Sequence, residues 1–350
     1  MGLFRDARTK TTGENKDWDV HFFPHGLQTI DLSGQKQSVN LFFQMQKLKV
    51  AILGSGNIGT DLLVKVLRSP VLECGAFIGR SLSSSGMAKA QSLGAFVSGE
   101  SIQYIQKNPD CCDLVFDATS ARDHELHALI LAQLGKIAID LTPAKIGQMC
   151  VPAVNMQACM KLTNINMVTC GGQASIPIAY ALGQTQKEIE YIEVVSSIAS
   201  RSAGPATRLN LDEYIHTTEE GVKLFSGALR TKAILNLNPA QPCINMQTTV
   251  LAKCAEPNLE ALKPVLNRMV AAVHGYVPGY EILVGPTVEN GRIVVMVRVK
   301  GLGDYLPPYA GNLDIINCAA IAMAEEYAKN RLVLRSRPRR SLTHESVSFN

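Results

Sequence analysis

The chain has 350 residues, of which 46% are hydrophobic and 18% are charged, and its formal net charge at pH 7 is +4. This length can bury a large core and favours two domains. No broad basic stripe with interleaved aromatic residues is present, which argues against a nucleic-acid-binding protein, and no apolar run reaches the roughly 18 residues of a membrane span.

Nine cysteines are scattered along the chain without a C-x-x-C pair. A disulfide framework or a zinc site would have a more regular spacing. Most of these cysteines are therefore predicted to be small buried apolar residues in a reducing cytosol. We expect a cytoplasmic protein without a bound metal.

Residues 1–46 have no clear hydrophobic period and are predicted to be an extension outside the fold, with Met45 as a candidate start. From residue 47 onward, helical patterns alternate with strand-like runs, which are LKVAILG, LECGAFIG, DLVFDATSA, IAIDLTPA and NINMVTC. Strands that alternate with helices predict an α/β fold with a doubly wound, Rossmann-type parallel sheet. We assign this dinucleotide-binding domain to residues 47–170.

Residues 171–311 contain longer strand-like runs with few helices between them. This pattern predicts a second domain of α+β character, with a mixed or antiparallel sheet and helices on one face, for catalysis and oligomerisation. The helix predicted over residues 312–330 is expected to return to the first domain. Residues 331–350 are expected to be a disordered, solvated basic tail.

A glycine-rich turn follows the first strand directly, with the sequence Gly54-Ser55-Gly56-Asn57-Ile58-Gly59, and it opens a helix. Strand, glycines and helix in this order predict a dinucleotide-binding turn. The first glycine permits the tight turn, the second lets the backbone approach a pyrophosphate, and the third lets the helix pack on the strand. Free N–H groups at the helix start would hold the phosphate charge. A plain strand–helix turn is the alternative.

Cys170 lies at the end of a strand in the run VTCGGQASIP, just before a predicted helix. A helix N-terminus is expected to lower the pKa of its thiol. Gly171 and Gly172 are expected to leave the backbone open, so that a substrate carbonyl reaches the sulfur and its oxyanion meets backbone N–H groups. Beside a dinucleotide domain, the chemistry this favours is aldehyde oxidation through a thiohemiacetal and a thioester. A buried cysteine at a strand end is the alternative.

Three further features could belong to a site. The loop SRSAGPATRLN at 200–210 and Asn312, at the start of the last helix, are either parts of a binding site or an ordinary loop and helix cap. His124 and His127 lie three residues apart on a predicted helix, without a third ligand nearby. We expect these two histidines to form a solvated face and not a metal site.

Eight blocks of sequence resemble one family when they are taken together and in order: KLKVAILGSGNIGTDLLVKVLRS, VFDATSA, IDLTPAKIG, NMVTCGGQASIP, SAGPATR, NPAQP, YVPGY and YLPPYAGNLDI. They closely resemble the acetaldehyde dehydrogenase (acetylating) family, the coenzyme-A-acylating enzymes of meta-cleavage pathways in aromatic hydrocarbon catabolism. The resemblance covers roughly residues 47–330. It implies a fold shared with aspartate-semialdehyde and glyceraldehyde-phosphate dehydrogenases.

The resemblance also implies an activity, which is oxidation of acetaldehyde, or of a short aliphatic aldehyde, with NAD and coenzyme A to give acetyl-CoA. Cys170 would be the acyl-carrying nucleophile, and a homodimer is expected. The residues implied for the dinucleotide site are Ser55, Gly56, Asn57, Ile58, Ser202, Ala203, Gly204, Pro205, Ala206, Thr207, Arg208, Leu209, Asn210 and Asn312.

The chain departs from the family pattern in three places. Thr248 stands where family members often carry a carboxylate that is sometimes assigned as the base. The segment 281–309 is shorter than its counterpart in the aromatic-pathway enzymes, which work in a complex with 4-hydroxy-2-oxovalerate aldolase. The shortening puts such a partnership in doubt. Gly79-Arg80-Ser81 lacks the acidic residue that selects NAD, and Arg80 with nearby serines suits the 2′-phosphate of NADP. This predicts relaxed selectivity, with use of NAD and better use of NADP than in relatives that carry the acidic residue. The alternative is that Arg80 stacks on adenine or points to solvent, with NAD bound through the pyrophosphate alone.

Two other functions stay open at this point. The first is a phosphorylating semialdehyde dehydrogenase, whose thioester is opened by phosphate instead of coenzyme A. The second is a non-catalytic nucleotide-binding partner protein that kept the fold and lost turnover.

Overall fold

The computed structural model describes residues 19–23, 26–30, 47–204, 207–208 and 210–336. The chain divides into two compact units, Met1–Met45 and Gln46–Asn350. In the first unit, β1 (Asp19–Phe23) and β2 (Gly26–Ile30) form an antiparallel hairpin.

The second unit contains a seven-stranded sheet in which every strand pair is parallel. Its strands are β3 (Leu48–Leu53), β4 (Leu72–Ile78), β5 (Val97–Ser98), β6 (Leu114–Asp117), β7 (Ile137–Asp140), β8 (Gln148–Met149) and β9 (Asn164–Asn166). The order across the sheet is β5-β4-β3-β6-β7-β9-β8. Strands β3 and β6 are almost wholly buried, as expected when helices cover both faces of a parallel sheet. The predicted doubly wound sheet is confirmed.

The helices between these strands are α1 (Asn57–Arg68), α2 (Ser85–Ser92), α3 (Ile102–Lys107), α4 (Ala121–Gln133) and α5 (Pro152–Cys159). Helix α1 is amphipathic, and its apolar stripe of Leu62, Leu63 and Val66 is fully buried in one core with β3 and β4.

A second, five-stranded sheet follows, made of β10 (Ile189–Ala199), β11 (Arg230–Asn238), β12 (Met246–Cys254), β13 (Tyr280–Glu289) and β14 (Arg292–Val299). Its order is β11-β10-β12-β14-β13, and only the β10–β11 pair is parallel. Burial alternates along β12 and β14, and the buried residues share a core with α6 (Cys170–Thr185), α7 (Leu211–Ser226) and α8 (Leu259–His274). The predicted mixed sheet with helices on one face is confirmed.

The last helix, α9 (Gly311–Ser336), packs its residues Ile316, Ala319 and Met323 into the core of the parallel sheet. It continues six residues beyond the predicted end at residue 330, so residues 331–336 are helical and the expected disorder is wrong for them. Arg331, the first of these six residues, contacts Asp113 at 2.8 Å. Residues 337–350 of the predicted tail lie outside the described part of the chain.

A buried ionic cluster connects α1, the 301–310 segment and the start of α9. The Lys65 ammonium lies 3.0 Å from Asp61, 2.8 Å from Asp304 and 2.7 Å from Asp314. Burial alone would lower the pKa of Lys65, but the surrounding acidic groups outweigh it and raise that pKa. The three carboxylates could hold a metal by their spacing, yet the ammonium already lies among them. We therefore regard them as partners of Lys65.

Among the described residues, no helix combines the length and the apolar run that crossing a membrane would require.

Candidate active site

Several loops that carry polar or reactive side chains lie at one edge of the parallel sheet. Because the carboxyl ends of parallel strands meet at the same edge, ligands of open α/β sheets bind there. The segments that leave this edge are the glycine turn after β3, Arg80 after β4, Ala118 after β6, Thr142 after β7 and Cys170 after β9.

The glycine turn has the geometry that its sequence predicts. Gly54 has φ +110°, and a Cβ there would overlap the carbonyl oxygen of Ala118. A Cβ at Gly59 would overlap the Gly54 carbonyl, so this glycine lets α1 approach the strand. A Cβ at Gly56 would meet nothing within 4 Å, and no side chain caps α1. The backbone is therefore open to a ligand at Gly56.

The end of β4 is polar and uncharged apart from one guanidinium. Ser84 caps α2 by accepting a hydrogen bond from the Met87 N–H (3.3 Å), and its hydroxyl donates to Ser55 Oγ at 2.9 Å. Ser81 and Ser83 share a hydrogen bond of 2.9 Å. Arg80 is exposed at this end of the strand, facing solvent.

Cys170 is the first residue of α6. The side chain of Thr169 caps this helix by accepting a hydrogen bond from the Gly172 N–H at 2.9 Å. Two residues before the cysteine, the β-branched Val168 has φ +61°, a strained conformation that favours glycine. The Asn166 side-chain oxygen accepts a hydrogen bond from the Val168 N–H at 2.7 Å and so holds this backbone in place.

The two glycines after Cys170 make room for protein side chains. A Cβ at Gly171 would overlap the Tyr214 hydroxyl, and a Cβ at Gly172 would lie 2.7 Å from Val168 Cγ1. The prediction that these glycines leave the backbone open to substrate is wrong at their Cα atoms, because Tyr214 and Val168 already fill that space.

The Cys170 sulfur lies 3.7 Å from Tyr214 Oη. Burial raises the pKa of the Cys170 thiol to about 11, although the Tyr214 hydroxyl and the backbone N–H groups of Gly171 and Cys170 act to lower it. The expectation of a lowered thiol pKa is thus wrong for this structure. The helix start does contribute hydrogen bonds to the sulfur, but loss of hydration outweighs them.

Behind Cys170 runs a row of buried hydroxyls. Ser196 lies beside Tyr214 and acts to lower the pKa of its hydroxyl, and Ser196 Oγ lies 3.0 Å from Thr248 Oγ1. We call Cys170, Tyr214, Ser196 and Thr248 the hydroxyl chain. Sequence reasoning missed Tyr214 and Ser196, because they lie on α7 and β10 and neither falls in a motif that points to the cysteine.

A second buried polar group lies under the same edge of the sheet. Asp117 Oδ2 is hydrogen-bonded to both His124 Nδ1 (2.9 Å) and His127 Nδ1 (2.8 Å), and His124 Nε2 lies 3.5 Å from Asp140 Oδ2. We call these four residues the Asp–His cluster. The prediction that His124 and His127 form a solvated face is wrong, since they are 0% and 4% exposed. Both histidines are hydrogen-bonded to Asp117 at the end of β6, the strand that precedes α4, so this face of the helix is buried.

Burial and pairing set the charges in the Asp–His cluster. Burial acts to raise the pKa of Asp117, but the hydrogen bonds from His124 and His127 outweigh it and hold that pKa well below its usual range. Burial acts to lower the pKa of His124, and the hydrogen bond to Asp117 reverses this and raises it. Burial raises the pKa of Asp140 to about 7.

The 200–210 loop precedes α7, and Arg208 forms hydrogen bonds within it. Arg208 donates hydrogen bonds to the carbonyl oxygens of Ala203 and Ser200, both at 3.0 Å. A Cβ at Gly204 would meet nothing within 4 Å, which leaves the backbone open there. Of the other predicted residues, Ser202 is buried, Thr207 and Asn210 are half-buried, and Pro205, Ala206 and Leu209 lie outside the described residues.

Asn312 begins α9 and is only 1% exposed. Its side-chain oxygen has no hydrogen-bond partner within the described part of the chain. Ile58 of the glycine turn packs with Leu313 of the same helix start. The structure therefore brings the glycine turn and Asn312 into one neighbourhood, and it places Cys170 beside α7, which follows the 200–210 loop.

Comparison with known proteins identifies the family. Residues 170–307 match the family model described as prokaryotic acetaldehyde dehydrogenase, dimerisation. The acetaldehyde dehydrogenase of Spirochaeta aurantia is 65% identical over 282 residues, which is 81% of this chain and 95% of that protein. The chain belongs to the acetaldehyde dehydrogenase family. The Pectobacterium atrosepticum acetaldehyde dehydrogenase is 57% identical over 282 residues, covering 80% of this chain and 95% of that protein.

Solved structures confirm the fold expected for an acetaldehyde dehydrogenase family member. Aspartate semialdehyde dehydrogenase from Candida albicans, solved with NADP, has a TM-score of 0.57 at 12% identity and covers 80% of this chain and 99% of its own. Aspartate semialdehyde dehydrogenase II from Vibrio cholerae gives 0.56 at 15% identity, with 83% and 99% covered. At these identities the likeness establishes a shared fold.

Proposed function

We propose that this protein oxidises acetaldehyde, or another short aliphatic aldehyde, with NAD and coenzyme A to the coenzyme A thioester, and that Cys170 carries the acyl group. The observation that carries the proposal is a free cysteine at the start of α6, on the same sheet edge as an open glycine turn. Membership of the acetaldehyde dehydrogenase family supports the aldehyde as substrate.

The residues present fit a dinucleotide. Gly56 and Gly204 expose open backbone, α1 has no side-chain cap, and the buried Asn312 oxygen lacks a partner within the described chain. The pyrophosphate would bind at the helix start, and the 200–210 loop and Asn312 would hold the remainder of the cofactor. Bound nicotinamide would supply the hydride acceptor. Three strand spacings separate β3 from β9, about 14 Å, which suits an extended dinucleotide reaching Cys170.

The chemistry proposed for the chain's own residues begins with loss of the Cys170 thiol proton to solvent. The thiolate forms a bond to the aldehyde carbon, and the resulting oxyanion is the group that the N–H groups at the start of α6 can stabilise. Loss of a hydride from that carbon leaves a thioester on Cys170. The thiol of coenzyme A then loses its proton to solvent and its sulfur bonds to the acyl carbon. The bond between that carbon and the Cys170 sulfur breaks, and Cys170 leaves as a thiolate.

The assembly is part of the same proposal. The match of residues 170–307 to a dimerisation model supports a homodimer. Partnership with 4-hydroxy-2-oxovalerate aldolase stays a prediction that the short 281–309 segment weakens, and the cytoplasmic location and the domain boundaries at 170 and 311 also stay predictions.

One assay tests the activity. Acetaldehyde and NAD are supplied with coenzyme A, with phosphate, or with neither, and the absorbance of the reduced nicotinamide is followed. A rate that requires coenzyme A supports the proposal. A rate that requires phosphate identifies the phosphorylating alternative, and nucleotide binding without turnover identifies the non-catalytic one.

A further inference from the structure

We propose that Tyr214 is a catalytic residue whose hydroxyl donates a hydrogen bond to the Cys170 thiolate, and that Ser196 and Thr248 position this hydroxyl. The inference rests on the proposed function and deepens it, since it concerns how the Cys170 nucleophile is formed.

Within the described residues, the Cys170 sulfur has no ionic partner. In the part of the chain that the structure describes, no histidine or carboxylate is hydrogen-bonded to Cys170, and its partners are Tyr214 and two backbone N–H groups. Cys170 as a whole is half-buried, but its sulfur has lost most of its hydration, and such a thiol is reluctant to ionise. Tyr214 is thus the side chain placed to stabilise the negative sulfur.

The second step is that the hydroxyl chain can reverse its direction. With a neutral thiol, the S–H group donates to Tyr214 Oη. With a thiolate, the Tyr214 O–H must donate to sulfur, so its oxygen is free to accept from Ser196, and Ser196 to accept from Thr248. Each hydroxyl has one donor and two acceptor sites, so it can take part in either direction. The Ser196–Thr248 bond can have either atom as the donor.

The third step is the fixed position of Tyr214. The Thr218 hydroxyl donates to the Tyr214 carbonyl oxygen at 2.7 Å and lies 2.7 Å from the Thr169 hydroxyl. Thr169 is the cap of α6, so this contact ties α7 to the helix that begins with Cys170. Gly171 leaves the space that the Tyr214 hydroxyl fills.

The fourth step concerns the protonation of the tyrosine. Burial raises the pKa of Tyr214 well above its ordinary value, and the negative sulfur adds to this. Tyr214 therefore keeps its proton while Cys170 ionises and remains a donor throughout. A hydrogen bond to a charged group corresponds to a change of about 10- to 100-fold in the thiolate fraction.

The experiment measures ionisation of Cys170 without requiring turnover. The full-length protein is alkylated with iodoacetamide across a pH series, and modification of the Cys170 peptide is followed by mass spectrometry, which separates it from the other eight cysteines. In Tyr214→Phe the alkylation profile is expected to move about one to two pH units upward, so alkylation at a fixed pH below the midpoint slows about 10- to 100-fold.

Matched variants distinguish this role from a structural one. Tyr280→Phe removes a buried tyrosine hydroxyl that donates to Ala174, on the same helix as Cys170, at 2.8 Å. We expect no shift of the profile in this variant. Ser196→Ala and Thr248→Val are expected to shift it in the same direction as Tyr214→Phe but less, with Ser196→Ala the larger.

An unshifted profile in Tyr214→Phe, or an equal shift in Tyr280→Phe, overturns the proposal. If Tyr214→Phe does not fold, the shifts in Ser196→Ala and Thr248→Val decide it, and no shift in either overturns it. The proposed function is tested separately. Aldehyde oxidation that survives in Cys170→Ser would show that Cys170 is not the nucleophile, while the alkylation profiles would still report how Tyr214 affects the ionisation of Cys170.

Discussion

The hydroxyl chain and the Asp–His cluster differ in place and in chemistry. The first runs from Cys170 to two strands of the mixed sheet, and the second is buried where two strands of the parallel sheet end. The hydroxyl chain surrounds a thiol with neutral groups, and that thiol has a pKa raised to about 11. The Asp–His cluster joins two carboxylates to two imidazoles, and the pKa of its Asp140 is about 7. A pH change near neutrality therefore acts on the scaffold of the site more than on its cysteine.

Loss of one group should destabilise the Asp–His cluster more than the hydroxyl chain. Removing one partner of a buried ion pair leaves a charge that water no longer reaches, which costs several kcal/mol. Removing a hydroxyl leaves at most an unsatisfied polar atom, which costs about 1–3 kcal/mol. Variants at neutral and at charged sites test this difference, beginning with the largest effect.

Cys170→Ser tests the reactive end of the hydroxyl chain. A serine hydroxyl has no base beside it to remove its proton, so we expect the rate of aldehyde oxidation to fall below about 1% of the original. Dinucleotide binding, measured by calorimetry, is expected to persist. Cys243→Ser, which changes a half-buried cysteine in a loop, serves as the control and should keep the original rate. A Cys170→Ser enzyme that retains more than a few per cent of the rate excludes Cys170 as the nucleophile.

Lys65→Met tests the cost of breaking a buried ionic cluster. Three carboxylates would lose their ammonium, so the free energy of unfolding should fall by about 3–5 kcal/mol. Urea denaturation followed by circular dichroism measures it. The control is Lys107→Met, which removes an exposed pair with Glu100 and should cost at most about 1 kcal/mol. Equal losses in both variants would contradict the distinction between buried and exposed charges.

Asp140→Asn tests how the Asp–His cluster responds to pH. The folded-state pKa of Asp140, about 7, lies above the unfolded value near 4. Its contribution to stability is therefore complete below about pH 4 and is lost as the pH rises toward 7, by about 2–4 kcal/mol. The asparagine variant should lack this decline when the free energy of unfolding is measured from pH 4 to 8. Asp110→Asn, at an exposed site, controls for loss of one carboxylate. An unchanged slope in Asp140→Asn would show that Asp140 does not titrate in this range.

Arg80→Ala extends the comparison to a charge that solvent reaches. If Arg80 binds the 2′-phosphate, kcat/KM with NADP should fall roughly 30-fold, which corresponds to about 2 kcal/mol of lost binding energy. The value of kcat/KM with NAD should stay nearly unchanged. The measurement is kcat/KM for both cofactors in both proteins. Equal losses with the two cofactors, or strict use of NAD by the original protein, would contradict NADP selection by Arg80.

The fold could largely be predicted from sequence, and the interior of the site only in part. Alternating strand and helix patterns gave the parallel sheet, and the order of strand, glycines and helix located the open turn at Gly56. The burial of His124 could not be predicted because its partner Asp117 lies on another element. The same holds for Cys170, whose thiol pKa depends on burial by α7, a contact that no local pattern encodes.

The close approach of Tyr214 to Gly171 has a consequence for how this sequence can change over time. A methyl group at position 171 is incompatible with a tyrosine hydroxyl in the space it would occupy. Once the hydroxyl is gone, the nearest ring carbon would lie 3.1 Å from that methyl group, a strain that small shifts can relieve. The two positions are therefore coupled: a lineage that replaces Gly171 with alanine must also move the tyrosine at position 214 away from its present position or give up its hydroxyl.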